Sequence, residues 1–250
     1  MKTINFLIVA SLTFLLFSCL QKNKQETGQP TASQEPEMYS LSIEEQNEGW
    51  ELLFDGKTTK GWRNYNRESI SGWEVSDGCL LGLGLGGEKG GDIITVRQYG
   101  NFILTWEWKL GPNGNSGVMY HVLEGEQYKV PWETGPEYQL IEDEDYEIEL
   151  EDWQKTASDY AMYVASPEKI LHTRDWNKSI IICNTEHVEY WLNGIRVLQF
   201  TPWSEDWHLR KINGKFKDYP DYGNSKKGHI ALQDHGSKVW FRTIKIKEYQ

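Results

Sequence analysis

From Phe102 to Leu110 every second residue is apolar: Phe102, Leu104, Trp106, Trp108 and Leu110 alternate with Ile103, Thr105, Glu107 and Lys109. Successive side chains of an extended chain point to opposite faces, so this run predicts a strand with one buried side. Shorter apolar or alternating runs predict further strands at 51–54, 73–75, 79–83, 92–97, 117–122, 137–141, 160–164, 179–184, 187–192, 195–200, 228–233 and 239–247. Asp77-Gly78 and Asn193-Gly194 fall between such runs, and these residue pairs tolerate the positive φ of a tight hairpin. No stretch keeps an apolar stripe at helical spacing. The pattern therefore predicts an all-β fold, a jelly-roll β-sandwich of two antiparallel sheets.

Two stretches do not read as strands. Residues 141–152 hold eight carboxylates, and 201–225 are rich in Trp, Pro, Asp, Lys and Gly. Both are expected to be long loops on the sandwich rim, where binding residues collect on a rigid scaffold. At the N-terminus, Met1-Lys2 precede an apolar run from Ile4 to Leu16 that is too short to span a bilayer and ends in Phe17-Ser18-Cys19. That layout predicts a signal peptide over 1–18. It resembles a bacterial lipoprotein signal with Cys19 as the lipidated residue. Residues 19–47 are then a polar tether, too poor in apolar side chains to fold, and 48–250 form one domain.

Composition narrows the function classes. The chain of 250 residues has 26 Lys and Arg against 37 Asp and Glu, a formal charge of −11. Such a surface repels a phosphate backbone, which excludes nucleic acid as a partner. Twelve Trp and thirteen Tyr accompany only three Cys; aromatic rings of this kind build β-structure and stack on sugars. Trp132, Trp153, Trp203 and Trp207 fall in presumed loops and are the candidate sugar platforms.

Sorting strands by face brings polar side chains together. Glu137 and Gln139 oppose Tyr138 and Leu140; His229, Gln233 and His235 oppose Ile230 and Leu232; His121 opposes Tyr120; and Arg242 interrupts a row of Trp240, Ile244 and Ile246. A solvated sheet face is ordinarily polar, so no single member of this set argues for chemistry. As a group, His121, Glu137, Gln139, Gln233, His235 and Arg242 would supply a base near neutral pH, a carboxylate, amides and a fixed cation to one hollow.

The order of motifs resembles one family. Leu53-Phe54-Asp55-Gly56-Lys57 with Gly61-Trp62, Trp73-Glu74-Val75, Gly91-Asp92-Ile93, Gly114-Asn115-Ser116-Gly117-Val118, Thr134-Gly135-Pro136-Glu137-Tyr138-Gln139, Trp191-Leu192-Asn193-Gly194 and Gly228-His229-Ile230-Ala231-Leu232-Gln233-Asp234-His235-Gly236 follow one another as in the 3-keto-disaccharide hydrolases. The resemblance runs from about Gly49 to the C-terminus. It implies a concanavalin A-like jelly roll and action on sugars oxidised at C3 by a separate NAD-dependent oxidoreductase. It also maps the family's polar positions onto Asn115, His121, Glu137, Gln139, Gln233, His235 and Arg242.

A ketone at C3 acidifies the hydrogen on C2, so the glycosidic bond can break by proton removal, expulsion of the C1 substituent and hydration of the enone. In this expectation Glu137 or His235 is the base. Arg242 with Gln233, or a divalent cation, stabilises the enolate, while Asn115 and Gln139 orient hydroxyls and Trp132 offers a ring. No cofactor is required, and no closely spaced ligand signature such as HExxH is present. The alternatives are a laminarinase-like endo-glycosidase, with Glu147, Glu149 and Glu151 on one strand face, and a non-catalytic carbohydrate-binding module. The protein is expected in the bacterial cell envelope, lipid-anchored at the outer membrane and facing the periplasm, its only membrane contact being that anchor.

Overall fold

The computed structural model describes residues 39–86 and 90–249; the signal segment 1–18, Cys19 and the tether up to residue 38 lie outside the described residues. A short helix α1 (Ile43–Asn47) precedes strands β1 (Trp50–Leu52), β2 (Trp62–Asn64), β3 (Trp73–Ser76), β4 (Cys79–Gly82), β5 (Ile93–Thr95), β6 (Phe102–Leu110), β7 (Asn115–Val122) and β8 (Glu137–Ile141). Then come β9 (Asn177–Cys183), β10 (Val188–Leu192), β11 (Ile195–Phe200), helix α2 (Glu205–Asn213), β12 (His229–Leu232) and β13 (Val239–Glu248). One sheet runs in the order β11-β10-β9-β6-β13-β4-β3 with β1 also paired to β13; the other runs β2-β5-β12-β7-β8. All pairings are antiparallel, giving the two-layer jelly-roll sandwich.

The core between the sheets takes Phe102, Leu104, Trp106, Trp108 and Leu110 from β6, Val118 and Tyr120 from β7, Tyr138 and Leu140 from β8, and Ile230 and Leu232 from β12. A second, smaller core lies on the far side of the five-stranded sheet. Met119, Val122, Ile94 and Ala231 point there and pack with Tyr65, Tyr128 and Trp132. That sheet is therefore covered on both faces, unlike the half-solvated sheet an alternating pattern ordinarily means.

Several expectations are corrected. The 201–225 stretch is not all loop: Ser204 caps α2 by accepting from the Trp207 amide at 3.2 Å, with Glu205 and Asp206 in the first turn and Arg210 and Lys211 in the last, an arrangement that suits the helix dipole. Trp207 is buried rather than offered to sugar, lying nearly parallel to Phe200 and Tyr222. Residues 160–164 form a turn closed by the Asp159–Tyr163 bridge, not a strand. The tether's last residues are also engaged: the Tyr39 ring meets Phe54 edge-on, and Glu45 of α1 pairs with Lys245 of β13. Cys79 and Cys183 are free and buried.

Two β-bulges reverse the side-chain parity that alternation assumes. At His121 φ is +53°, and the β7–β12 register shifts beside it. His121 thus turns inward with Tyr120, its ring 5.8 Å from Phe102 and its Nε2 donating to the Gly100 carbonyl at 2.9 Å. At Thr243 φ is +53°, and the β6–β13 register shifts between Arg242 and Lys245. Before this bulge Val239 and Phe241 face the core, after it Ile244 and Ile246 do, and Trp240 and Arg242 face outward.

The His121 bulge needs glycine at 228. A Cβ there would stand 2.3 Å from the His121 carbonyl carbon and 2.6 Å from the Val122 oxygen, backbone atoms that cannot swing aside. Gly228→Ala is expected to lower stability by about 1–3 kcal/mol, read as a fall in melting temperature. An unchanged melting temperature would mean the bulge yields freely.

Candidate active site

The sheet face carrying the second core also carries a polar hollow. On β8, Tyr138 and Leu140 take the core side, so Glu137 and Gln139 take the other. Pairing of Met119 with Glu137 and of Gly117 with Gln139 brings Asn115 and Gly117 beside them. Gln233, just past β12, is tied in by its amide donating to the Gly117 carbonyl at 3.0 Å. A cavity of about 250 Å³ is lined by Asn115, Trp132, Glu137, Gln139, Tyr160, Lys215, Gln233 and His235. Six sequence-predicted residues thus come together: Asn115, Trp132, Glu137, Gln139, Gln233 and His235.

Two predicted members are elsewhere. His121 is swung into the core by its bulge, and burial pushes its imidazole down to about 4. Arg242 lies on the outer face of the eight-stranded sheet, paired with Glu107 at 2.7 Å and stacked 3.7 Å above Trp176. It cannot serve a site on the other sheet. The residues that sequence reading missed are Lys215 and Tyr160. Lys215 begins a short 3-10 turn (Lys215–Asp218) after Gly214 ends α2. The Lys211 ammonium pins this region, donating to the carbonyls of Pro220 and Tyr222 at 2.7 Å each, while Phe216 stacks on Tyr222. The signal was legible: Ser204-Glu205-Asp206 ahead of Trp207, with Gly214 ten residues after Ser204, marks a capped helix.

Glu137 is 5% exposed, and its Oε1 has no hydrogen-bond partner. Burial is the main cause that pushes its carboxyl up to about 8; Lys215 opposes that shift and Asp92 adds to it. Gly117 makes the carboxyl's seat, since a Cβ there would lie 2.0 Å from Oε1. Gln233 Oε1 is likewise buried without a partner. Asn115 Oδ1 accepts from Gln139 Nε2 at 3.4 Å, and Asn115 Nδ2 donates to the Tyr146 hydroxyl at 3.2 Å. The Lys215 ammonium sits over three rings, 4.1 Å from Tyr160, 5.0 Å from Trp132 and 5.7 Å from Phe216. Burial of that end lowers its hold on the proton, and Glu137 acts the other way. Behind the site Asp159 is fully buried with both carboxyl oxygens unpartnered, and burial raises it far above the carboxylate range.

The hollow thus offers a dry base, an ammonium, three amide side chains, an imidazole at the rim and an indole wall. Unpartnered buried acceptors suit hydroxyl donors of a ligand. Among the described residues no group of three or more His, Cys, Asp or Glu could hold a metal ion. Nor does the alternative acidic strand exist: residues 147–151 form no strand, and Glu147, Glu149 and Glu151 are exposed on a loop.

Comparison with known proteins identifies the family of the chain. A family model described as the 3-keto-alpha-glucoside-1,2-lyase-like domain matches residues 49–247. A 3-keto-disaccharide hydrolase of Bacteroides thetaiotaomicron is 32% identical over 238 residues, covering 84% of this chain and 82% of that protein. A crystallised Parabacteroides distasonis protein, assigned as a glycosyl hydrolase, is 46% identical with a TM-score of 0.79, covering 85% of this chain and 99% of that one. A second from the same organism is 26% identical with a TM-score of 0.60, covering 80% and 99%.

Retention of the Glu137 proton links the site to stability. The folded carboxyl holds its proton to about 8, whereas the unfolded one releases it near 4.5. Between those values the folded state binds more protons, so its stability falls as pH rises, on the order of 1 kcal/mol per pH unit for this group. Glu137→Gln should flatten the decline measured by urea unfolding between pH 5 and 8. An identical slope in the variant would mean the carboxyl is not held protonated.

Proposed function

The chain belongs to the 3-keto-alpha-glucoside-1,2-lyase-like family, and on that footing we propose that it cleaves the glycosidic bond of 3-keto-glycosides by removal of the C2 proton, elimination and hydration. It is a glycoside-cleaving enzyme. The observation that carries the mechanistic reading is the buried, partly unpartnered Glu137 carboxyl facing Lys215 in a cavity otherwise lined by amides, aromatic side chains and an imidazole. Ordinary glycosidases place two carboxylates across the bond. The cavity around Glu137 is lined by one, with Asp92 and Asp234 in the adjoining hollow.

In the first step the Glu137 carboxylate takes the C2 hydrogen, and the electron pair of the C–H bond moves into the enolate at C3. The Lys215 ammonium, in the role that sequence reading gave to Arg242, neutralises the enolate oxygen. Asn115, Gln139 and Gln233 hold ring hydroxyls. The C1–O bond then breaks, the leaving oxygen departs with its electron pair and takes up a proton, and an enone remains. Water adds its hydroxyl to C1 while C2 regains a proton, giving the 3-keto sugar. The substrate's C3 ketone has to be made by a separate sugar oxidoreductase. With Cys19 lipidated after signal cleavage, the enzyme would work tethered at the cell envelope, a placement supported by the N-terminal sequence pattern alone.

Incubation with a 3-keto-glucoside beside its unoxidised parent should release the aglycone only from the oxidised sugar. In D2O the product should carry deuterium at C2 beyond an enzyme-free control. Release from the parent sugar, or product without solvent deuterium, overturns this mechanism.

Glu137→Gln should lower kcat by about 10²–10⁴ with KM within a few-fold, and Lys215→Met by about 10²–10³. With 4-nitrophenyl 3-keto-glucoside, whose leaving group needs no proton, wild-type kcat/KM should rise with pH through a midpoint near 8, where Glu137 becomes a free base. Near-normal turnover by Glu137→Gln removes that residue as the base.

A further inference from the structure

A larger cavity of about 410 Å³ adjoins the first and is lined in part by Asn64, Tyr65, Arg67, Asp92 and Lys129. The two hollows share three residues: Trp132, Gln233 and His235. Glu137 and Lys215 line only the smaller one, so the oxidised ring, whose C2 must meet the base, belongs there. Whatever C1 carries then points across the shared residues into the larger cavity. In its lining the Asn64 amide is committed to Ser71 and Gly91, and the Tyr65 hydroxyl donates to the Leu123 carbonyl. This leaves the Tyr65 oxygen as an acceptor and the exposed Lys129 ammonium as a donor for the hydroxyls of a second sugar, with Trp132 at the boundary.

His235 stands at that boundary, and the backbone around it is tied down. Asp234 Oδ2 accepts from the amides of Gly86 and Gly91 at 3.0 and 3.2 Å, and its Oδ1 accepts from Gly236 at 3.1 Å. The Asp234 amide in turn donates to Asp92 Oδ1 at 2.8 Å. Both carboxylates are thereby engaged with backbone amides, and the exposed His235 imidazole is the proton-carrying side chain common to both hollows.

Resting on the reaction proposed above, we propose that the larger cavity holds the departing sugar and that His235 is the acid that protonates its oxygen. As the C1–O bond breaks, its electron pair stays on the leaving oxygen. The imidazolium N–H transfers its proton there, and the neutral imidazole is reprotonated from solvent. A sugar alkoxide needs this proton, whereas a nitrophenolate leaves without one.

The test compares wild type, His235→Gln and His235→Ala on a 3-keto-disaccharide and on 4-nitrophenyl 3-keto-glucoside. The expected result is a loss of about 100-fold or more in kcat for the disaccharide, with the nitrophenyl glycoside within a few-fold of wild type. Equal losses on both, or none on either, overturn the role of His235. Lys129→Ala, at an exposed position that leaves folding intact, should raise KM several-fold for the disaccharide and leave methyl 3-keto-glucoside unchanged; parallel or absent effects overturn the leaving-sugar assignment. Wild-type protein that cleaves none of the three substrates overturns the reaction itself, which separates that failure from the other two.

Discussion

The site depends on one constraint: the five-stranded sheet has no wet face. In a two-layer sandwich the outer side of a sheet ordinarily meets water, and a glutamate there is an ordinary solvated anion. Here Tyr65, Tyr128 and Trp132 close over Met119, Val122, Ile94 and Ala231, and the helix-bearing stretch after β11 brings Lys215 to the neighbouring hollow. Glu137 is therefore on an outer face and yet dry. Its raised proton affinity, its need for glycine at 117 and its coupling to Lys215 all follow from that covering.

How far the sequence could be read follows from what sets each feature. Period-two alternation in β6 and β8 is local and strong, so it placed the core and put Glu137 with Gln139 on the opposite side. Face assignment fails at a bulge, because one residue of positive φ shifts every later side chain to the other face. The bulge at His121, where φ is +53°, turned that candidate inward. Arg242 is elsewhere because β13 belongs to the other sheet, and the bulge at Thr243 beside it only splits its row of Trp240, Ile244 and Ile246 between two faces. Nothing in the residue types announces a bulge at either place: His and Thr are not glycine, and the glycine that makes room for the first is Gly228, over a hundred residues away in the chain.

Lys215 was missed for a different reason. Its segment carries capping chemistry that can be read locally, but its proximity to Glu137 comes from tertiary contacts of α2, the Lys211 ammonium against the carbonyls of Pro220 and Tyr222, and the Phe216–Tyr222 stack. The acidic stretch shows the converse. Glu147, Glu149 and Glu151 have the spacing of a catalytic strand, and spacing has meaning only where the backbone is extended and paired; here that backbone is an exposed loop.

The same dryness that costs stability gives the proton transfer its direction. A carboxylate in water is a weak base toward a carbon acid; a buried one gains basicity, because protonation removes a charge its surroundings disfavour. When Glu137 takes the C2 proton, it becomes the neutral acid that burial prefers, and the negative charge moves to the enolate oxygen. The Lys215 ammonium is opposite a single anion before and after, first the carboxylate and then the enolate, so no second charge has to be brought into the cavity. Arg242 could not have filled this role from the far sheet, since a counter-charge helps only where it stays beside the moving one.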